Sequence, residues 1–453
     1  MSQSGFKKEL SLVSLIAMAA GGMVAAWMVE IKYWFELSGA TASLALLVCA
    51  LFILPLTLIY TELTSMMPYA GGVNIWASNA FNWSTGFAGF WIILFLYLIA
   101  MPSIAYGIST MLSYWFDLSW YAIKLIALVI MLAVFFLSNK EIKILARIQN
   151  TLFWGTLIIS VIASFIFIFS HEWTMATMKP YFPTGAIGFT AAITTLLYKF
   201  VGFEMIPNLV EDTTFQRKNL WKAFFGAIGV TLLIYGLAAF GVGGIFTRET
   251  VMACDVVDPR VADYIGLHWL ALVIIVMGIG TCITTAPGFW LSAARAMYGA
   301  AKQHQLPQVF GKLNKDGQPV NANLAVGILS LLLTVAAPEA WINYLYTLCG
   351  IAAGLNYLLA TLCYIRLKHK KPEWTRPYKV PCWKFMVTVS LIFIAYVIYN
   401  FVSTITVSAV VVLVGYVALG FIAWGYAKRK QKTDPENWTP EILSPDTHPI
   451  ENY

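Results

Sequence analysis

Apolar runs of about 20 residues, separated by short polar stretches, recur from Leu10 to about Tyr426. A helix of that length covers the roughly 30 Å hydrocarbon core of a bilayer. The pattern predicts about twelve crossings, at roughly 10–32, 41–66, 86–113, 119–138, 150–170, 186–207, 222–246, 264–294, 321–337, 341–365, 384–402 and 407–427. The first follows Lys7 and Lys8 as a signal peptide would, but its apolar run is long and lacks a convincing cleavage site, so it reads as a retained span. Two runs are interrupted from within. Gly21, Gly22, Met23, Val24, Ala25, Ala26 and Trp27 place small residues inside the first, and Tyr198, Lys199, Phe200, Val201, Gly202, Phe203 and Glu204 place charge inside the sixth. Helices broken at mid-membrane depth free backbone groups that grip a polar solute, which points to a carrier.

Composition sharpens that picture. Hydrophobic residues make up 59% of the chain and charged residues 11%, with a mean hydropathy of +0.73, more apolar surface than a soluble chain of 453 residues can hide. Charge then supplies orientation. With the N-terminus inside, 23 of the 29 Lys and Arg fall on inside segments, including seven between Arg366 and Lys384 and four between Lys428 and Lys432. Both termini are therefore expected in the cytoplasm, in a plasma or bacterial inner membrane. The net charge of +7 reflects topology, so nucleic-acid binding is not expected.

The six cysteines show no metal spacing and no disulfide framework, and neither a cofactor nor a metal is expected. Asn82-Trp83-Ser84 fits a glycosylation pattern but is placed inside, where chance is the better reading. The stretch Thr247–Ala262 is the largest expected outer connection. The tail from Lys428 to Tyr453 has no apolar periodicity and is expected to be a mobile extension.

Several motifs then carry a resemblance. Tyr60-Thr61-Glu62-Leu63 is followed by Met67-Pro68-Tyr69-Ala70-Gly71-Gly72. Gly202-Phe203-Glu204 is followed by Glu211-Asp212 and Lys218-Asn219. Later come Arg295-Ala296-Met297-Tyr298, Leu306-Pro307-Gln308-Val309-Phe310, Asn314-Lys315-Asp316-Gly317-Gln318-Pro319 and Arg376-Pro377-Tyr378-Lys379-Val380-Pro381. In this order the chain resembles the amino acid permeases of the amino acid–polyamine–organocation superfamily. The resemblance implies an all-α, leucine-transporter-like fold: a first five-helix repeat over 10–170, an inverted second over 186–365 and two additional helices over 384–427. A short N-terminus, 1–9, and the tail, 428–453, flank them. It also implies that the first helix of each repeat is discontinuous and that a bundle moves against a scaffold.

Candidate chemistry gathers at the two breaks. At the first, Gly21 to Trp27 can offer unpaired N–H groups to a substrate carboxylate, although Trp27 departs from the family's small residues. The competing reading is close helix packing by small residues. Lys199 lies mid-span, where a charge costs at least about 2.5–3.5 kcal/mol and must face a cavity or a partner. It is a counter-charge for a substrate carboxylate, a proton-responsive cation or an internal partner of Glu204. Glu204 is a gating or proton-sensitive carboxyl by resemblance, or else a structural hydrogen-bonding group. Glu62 is expected in a stabilising or gating ion pair. Glu30 and Lys124 are placed near enough to the outer boundary to snorkel.

Tyr198, Phe200 and Phe289 are candidate cavity walls. Thr281, Thr284 and Thr285 could offer hydroxyls to sodium, or back-bond their own helix. The function expected is secondary transport of an amino acid, neutral or acidic favoured, with the bilayer and a coupling ion as partners, H+ before Na+. The runner-up is a polyamine or cationic amino acid antiporter. An intramembrane enzyme lacks any H-E-x-x-H, G-x-S-x-G or paired aspartates here, and a passive channel would not saturate or show counterflow. Nothing in the chain specifies an oligomeric state.

Overall fold

The computed structural model describes residues 10–138, 142–315 and 317–448, and the side chains of residues 137, 142–149 and 284 lie outside the description. Lys7, Lys8 and Lys140, three of the 23 Lys and Arg expected on inside segments, are among the residues not described. The described chain is all-α and polytopic. Among the described residues nine helical stretches are long and apolar enough to cross a membrane, and the shorter apolar helices 12–23, 120–136 and 320–336 stand beside them.

The first crossing is made of α1, Leu12–Met23, and α2, Trp27–Ser38; α3 is Ala42–Met66. A short α4, Val73–Ala80, leads to α5, Trp83–Met111, then α6, Trp120–Leu137, and α7, Ile142–Ile168. The sixth crossing is α8, Gly185–Thr195, a tight turn of helix over Leu196–Phe200, and α9, Met205–Leu209. Next come α10, Leu220–Ile245, two connecting helices α11, Arg248–Met252, and α12, Val257–Tyr264, and the long α13, His268–Lys302. The chain closes with α14, Val320–Ala336, α15, Trp341–Lys370, α16, Trp383–Ser403, α17, Val407–Thr433, and α18, Pro435–Trp438.

The distribution of polar groups is that of a protein dissolved in lipid. Val411, Val414, Phe421 and Ile422 of α17 and Leu125, Val129 and Phe136 of α6 show their side chains to the outside. Water would not tolerate apolar patches of this size, whereas a bilayer does. Glu30, Glu62, Lys199, Glu204, Asp212 and Arg295 are instead buried within the bundle, where a charge must find a partner. Helix α1 is buried along most of its length against α10, α13 and α7, so the first break lies at the centre of the molecule.

Two expectations are corrected here. The eighth crossing does not end near residue 294: α13 continues to Lys302, because Arg295 is fully buried against Asp212 rather than released to a polar loop. The tail is not a loose extension as far as residue 448. Trp438 packs with Trp83 and Ala427, Asn79 and Tyr69 donate to the carbonyls of Leu443 and His448, and Asp446 accepts from Lys371 and Trp374. None of these contacts follows an apolar period, which is why the tail looks featureless in sequence. Asn82 has a local role as the N-cap of α5, its side chain accepting from the Thr85 N–H at 3.0 Å.

Candidate functional site

The first break is three residues long. Helix α1 stops at Met23, Val24 is extended, and Ala26 takes a left-handed backbone at φ 50°, which restarts the chain as α2 at Trp27. A left-handed alanine costs about 1–2 kcal/mol, so the neighbours must hold it. They do so group by group. Tyr235 of α10 donates its hydroxyl to the Met23 carbonyl at 2.5 Å and accepts from the Ala25 N–H at 3.0 Å. The Thr285 hydroxyl of α13 lies against the carbonyls of Gly21 and Val24, the latter at 3.2 Å, and Lys199 reaches the Ala25 carbonyl at 3.1 Å.

The second break faces it. After Leu196–Phe200 the chain is extended at Val201, and Gly202 adopts φ +146°. A Cβ at Gly202 would lie 3.1 Å from the Met23 backbone nitrogen and 3.2 Å from the Ala19 carbonyl, so glycine is what lets the two interrupted helices touch. Between them is a cavity with about 20 Å³ of space for the centre of a water molecule. Gly22, Met23, Ala25, Tyr198, Lys199, Val201 and Phe289 line it, together with Glu30, Ser103 and Cys349. That is room for water and not for an amino acid, so the arrangement is a closed one.

Electrostatically the cavity is dominated by a single pair. The Lys199 ammonium and the Glu30 carboxylate form a salt bridge, with both side chains at most 2% exposed. The pair is wrapped in aromatic rings: the ammonium lies 5.0 Å from the centroid of Tyr235 and 5.2 Å from that of Tyr198. Glu30 also accepts from the Tyr346 hydroxyl at 3.0 Å, and Ser103 lies 3.4 Å from its other oxygen. Tyr198 donates to Ser103 at 2.6 Å and stacks on Tyr346 with centroids 4.0 Å apart.

This geometry corrects three readings. Lys199 is not the partner of Glu204: the Glu204 carboxyl accepts from the Tyr357 hydroxyl and the Gly202 N–H, the latter at 2.6 Å, and its backbone carbonyl accepts from Tyr97 at 2.7 Å. Glu30 does not snorkel, since it is 1% exposed. Helix α2 runs on to Ser38, past the expected end of the crossing near residue 32, so Glu30 stands on its first turn beside the cavity. Trp27 and Phe200, although buried, do not line the central cavity. The Trp27 indole turns away, donating to Asp258 of α12 at 3.1 Å across a separate void of about 10 Å³.

Glu62 lies elsewhere, at the end of α3, in the ion pair the sequence leads one to expect. It binds Arg376 at 3.0 Å, Lys368 at 3.2 Å and the Val380 N–H at 2.7 Å, so the first and last of the sequence motifs are one structure. Two more motifs meet in the buried Asp212–Arg295 pair, and Glu211 accepts from the Ala70 N–H at 2.6 Å. Thr281 donates toward Thr156 and its own helix, and Thr285 adds the Thr281 carbonyl at 2.9 Å to its contacts with the break. The side chain of Thr284 lies outside the described residues. The residues sequence reasoning missed are Glu30, Ser103, Tyr235, Tyr346 and Asp258. A mid-run acid, a serine and tyrosines on two other helices carry no motif, and only the count of intramembrane charges, with Lys199 needing a partner, could have pointed to Glu30.

Fold and site together define a polytopic membrane transporter with two interrupted helices meeting at a closed central cavity. The chain belongs to the amino acid permease family, whose match covers residues 10–424. It is 23% identical to an aspartate-proton symporter of Bacillus subtilis (strain 168), over 88% of this chain and 80% of that protein. It is 23% identical to a gamma-aminobutyric acid permease of the same organism, over 87% of each chain, and 22% identical to a branched-chain amino acid permease, over 88% and 89%.

Proposed function

We propose that this protein moves an amino acid with a neutral or acidic side chain across the plasma membrane by alternating access, driven by protons or by exchange, with both termini cytoplasmic. The observation that carries this reading is the unwound Val24–Ala26 segment facing Val201–Gly202, with the Lys199 ammonium between them. The first N–H groups of α2 have no partner within their own helix, and the positive end of its dipole adds to the charge of Lys199, so a carboxylate is favoured there. A cationic side chain has less to bind. The two acids at this depth, Glu30 and Glu204, are already held by Lys199 and by Tyr357.

Relatives named for aspartate with protons, for gamma-aminobutyrate and for branched-chain amino acids all carry a carboxylate and support the same preference. Proton coupling suits a site built from a buried acid–base pair. Thr285, one of the residues offered for sodium with Thr281 and Thr284, spends its hydroxyl on the carbonyls it would share with an ion. The purified protein in liposomes, alkaline inside and without sodium, is expected to accumulate at least one of aspartate, glutamate, gamma-aminobutyrate or leucine, and to lose the gradient with a proton ionophore. Uptake confined to putrescine or arginine would overturn the substrate class, and an absolute sodium requirement would overturn the coupling.

A further inference from the structure

We propose that the transported amino acid takes the place of Glu30 on Lys199. The substrate carboxylate binds the Lys199 ammonium, and Glu30 leaves the pair as a neutral acid that carries the coupling proton. This rests on the reading above that the break holds a carboxylate substrate. Lys199 and Glu30 both line the central cavity, and two N–H groups of the ammonium are directed at Glu30 and at the Ala25 carbonyl. The pair is neutral and desolvated. A second carboxylate entering the cavity would set two negative charges on one buried ammonium, which like-charge repulsion without water does not tolerate. One proton must enter with it.

The proton belongs on Glu30 rather than on the substrate, because the substrate carboxylate gains Lys199 as its charge partner while Glu30, displaced from it, would otherwise be left as an unpaired buried charge. A neutral Glu30 also keeps its hydrogen bonds. Its new O–H can donate to Ser103, and its other oxygen can still accept from Tyr346. The groups facing Glu30 are Ser103 from α5, Tyr198 and Lys199 from the second break, Tyr235 from α10, Cys282 from α13, and Tyr346 and Cys349 from α15. Among the described residues Lys199 is the charged one in contact with it.

The exchange balances: one carboxylate and one proton enter, one ion pair is replaced by another, and one carboxyl becomes neutral. Glu30 stands on α2 and Lys199 on the facing break, so the exchange also unties the two interrupted helices. A zwitterionic substrate would then move with one net positive charge, and a mono-anionic one with none.

The test is binding to the full purified chain in weak buffer, with aspartate, glutamate, gamma-aminobutyrate and leucine as probes. Wild type should take up one proton per bound amino acid and bind about tenfold tighter for each pH unit lowered across the titrating range. Glu30→Gln should bind with no proton uptake and an affinity flat with pH, while Glu30→Asp should restore the slope. If Gln alone leaves Lys199 unpaired and the protein unstable, Glu30→Gln with Lys199→Met removes both charges. That variant should bind at least about tenfold more weakly and take up no proton. Proton uptake persisting in either Gln variant, or wild-type binding without a proton, would overturn the proposal. If no probe binds wild type at all, the carboxylate-permease reading itself falls, and this inference with it.

Discussion

The two ends of the bundle are closed by different chemistry. At the end where α3 and α15 finish, closure rests on buried charge: Glu62 holds Arg376, Lys368 and the Val380 N–H, and Asp212 holds Arg295. At the end where α2 finishes, Arg248 caps the carbonyls of Phe35 and Glu36, a cation at a helix C-terminus, and Lys32 meets an exposed Asp255. The buried side-chain contacts of α2 there are neutral hydrogen bonds, Trp27 to Asp258 and Trp34 to Tyr346. Parting the first end separates desolvated charges, whereas parting the second breaks contacts that water largely replaces. The α2 end should therefore open at lower cost, and the other should need help from substrate or from ions.

The hardest blow to this asymmetry is at Arg295. Arg295→Met leaves Asp212 as a lone buried charge, and should cost about 3–5 kcal/mol and much of the folded protein. Asp212→Asn with Arg295→Met should recover a good part of that loss, measured as the melting temperature of the purified protein. A single Met variant as stable as wild type would mean this end is not held by its charges.

Glu62→Gln comes next. It removes the acceptor shared by Arg376, Lys368 and the Val380 N–H, all at an end where solvent reaches part of Lys368. The expected cost is about 2 kcal/mol. The more telling result is a loosened 371–382 loop, read as faster amide exchange there with 257–264 unchanged. Equal loosening of both regions would erase the distinction between the ends.

How much of this could be read in advance follows from how local each signal is. The spans and the two breaks were legible because hydropathy and small residues act within a single run, as at Gly21 to Ala26. Glu62 was legible as an ion-pair former because its motif sits at a helix end beside a basic loop. Glu30 was misplaced for a geometric reason: the first crossing was ended near residue 32, whereas α2 runs on to Ser38 and leaves residue 30 on its first turn. Its partner lies 169 residues away in the chain and shares no motif with it. Asp258 and the docked tail were missed because each is held by single contacts between distant elements, a kind of information that periodicity does not contain.

At the α2 end the smaller effect is one of pH. Burial away from cations pushes the Asp258 carboxyl up to about 6, and one of its oxygens has no hydrogen-bond partner in the described structure. Around it the void is lined by Trp27, Ser160, Ser164 and Met277, with no second charged group. When this end opens, water should return Asp258 to an ordinary carboxyl value near 3.8. A value raised in the closed form means that protons favour closure. The stabilisation is complete below the open-form value and is lost as pH rises through about 6. Spin labels at exposed Tyr264 and Tyr121 should thus report more of the closed distance at pH 5 than at pH 7. Asp258→Asn, a neutral mimic that still accepts from Trp27, should hold the closed distance at both. A wild-type distance distribution that does not move with pH, or an Asn variant that moves as wild type does, would leave this end closed by packing alone.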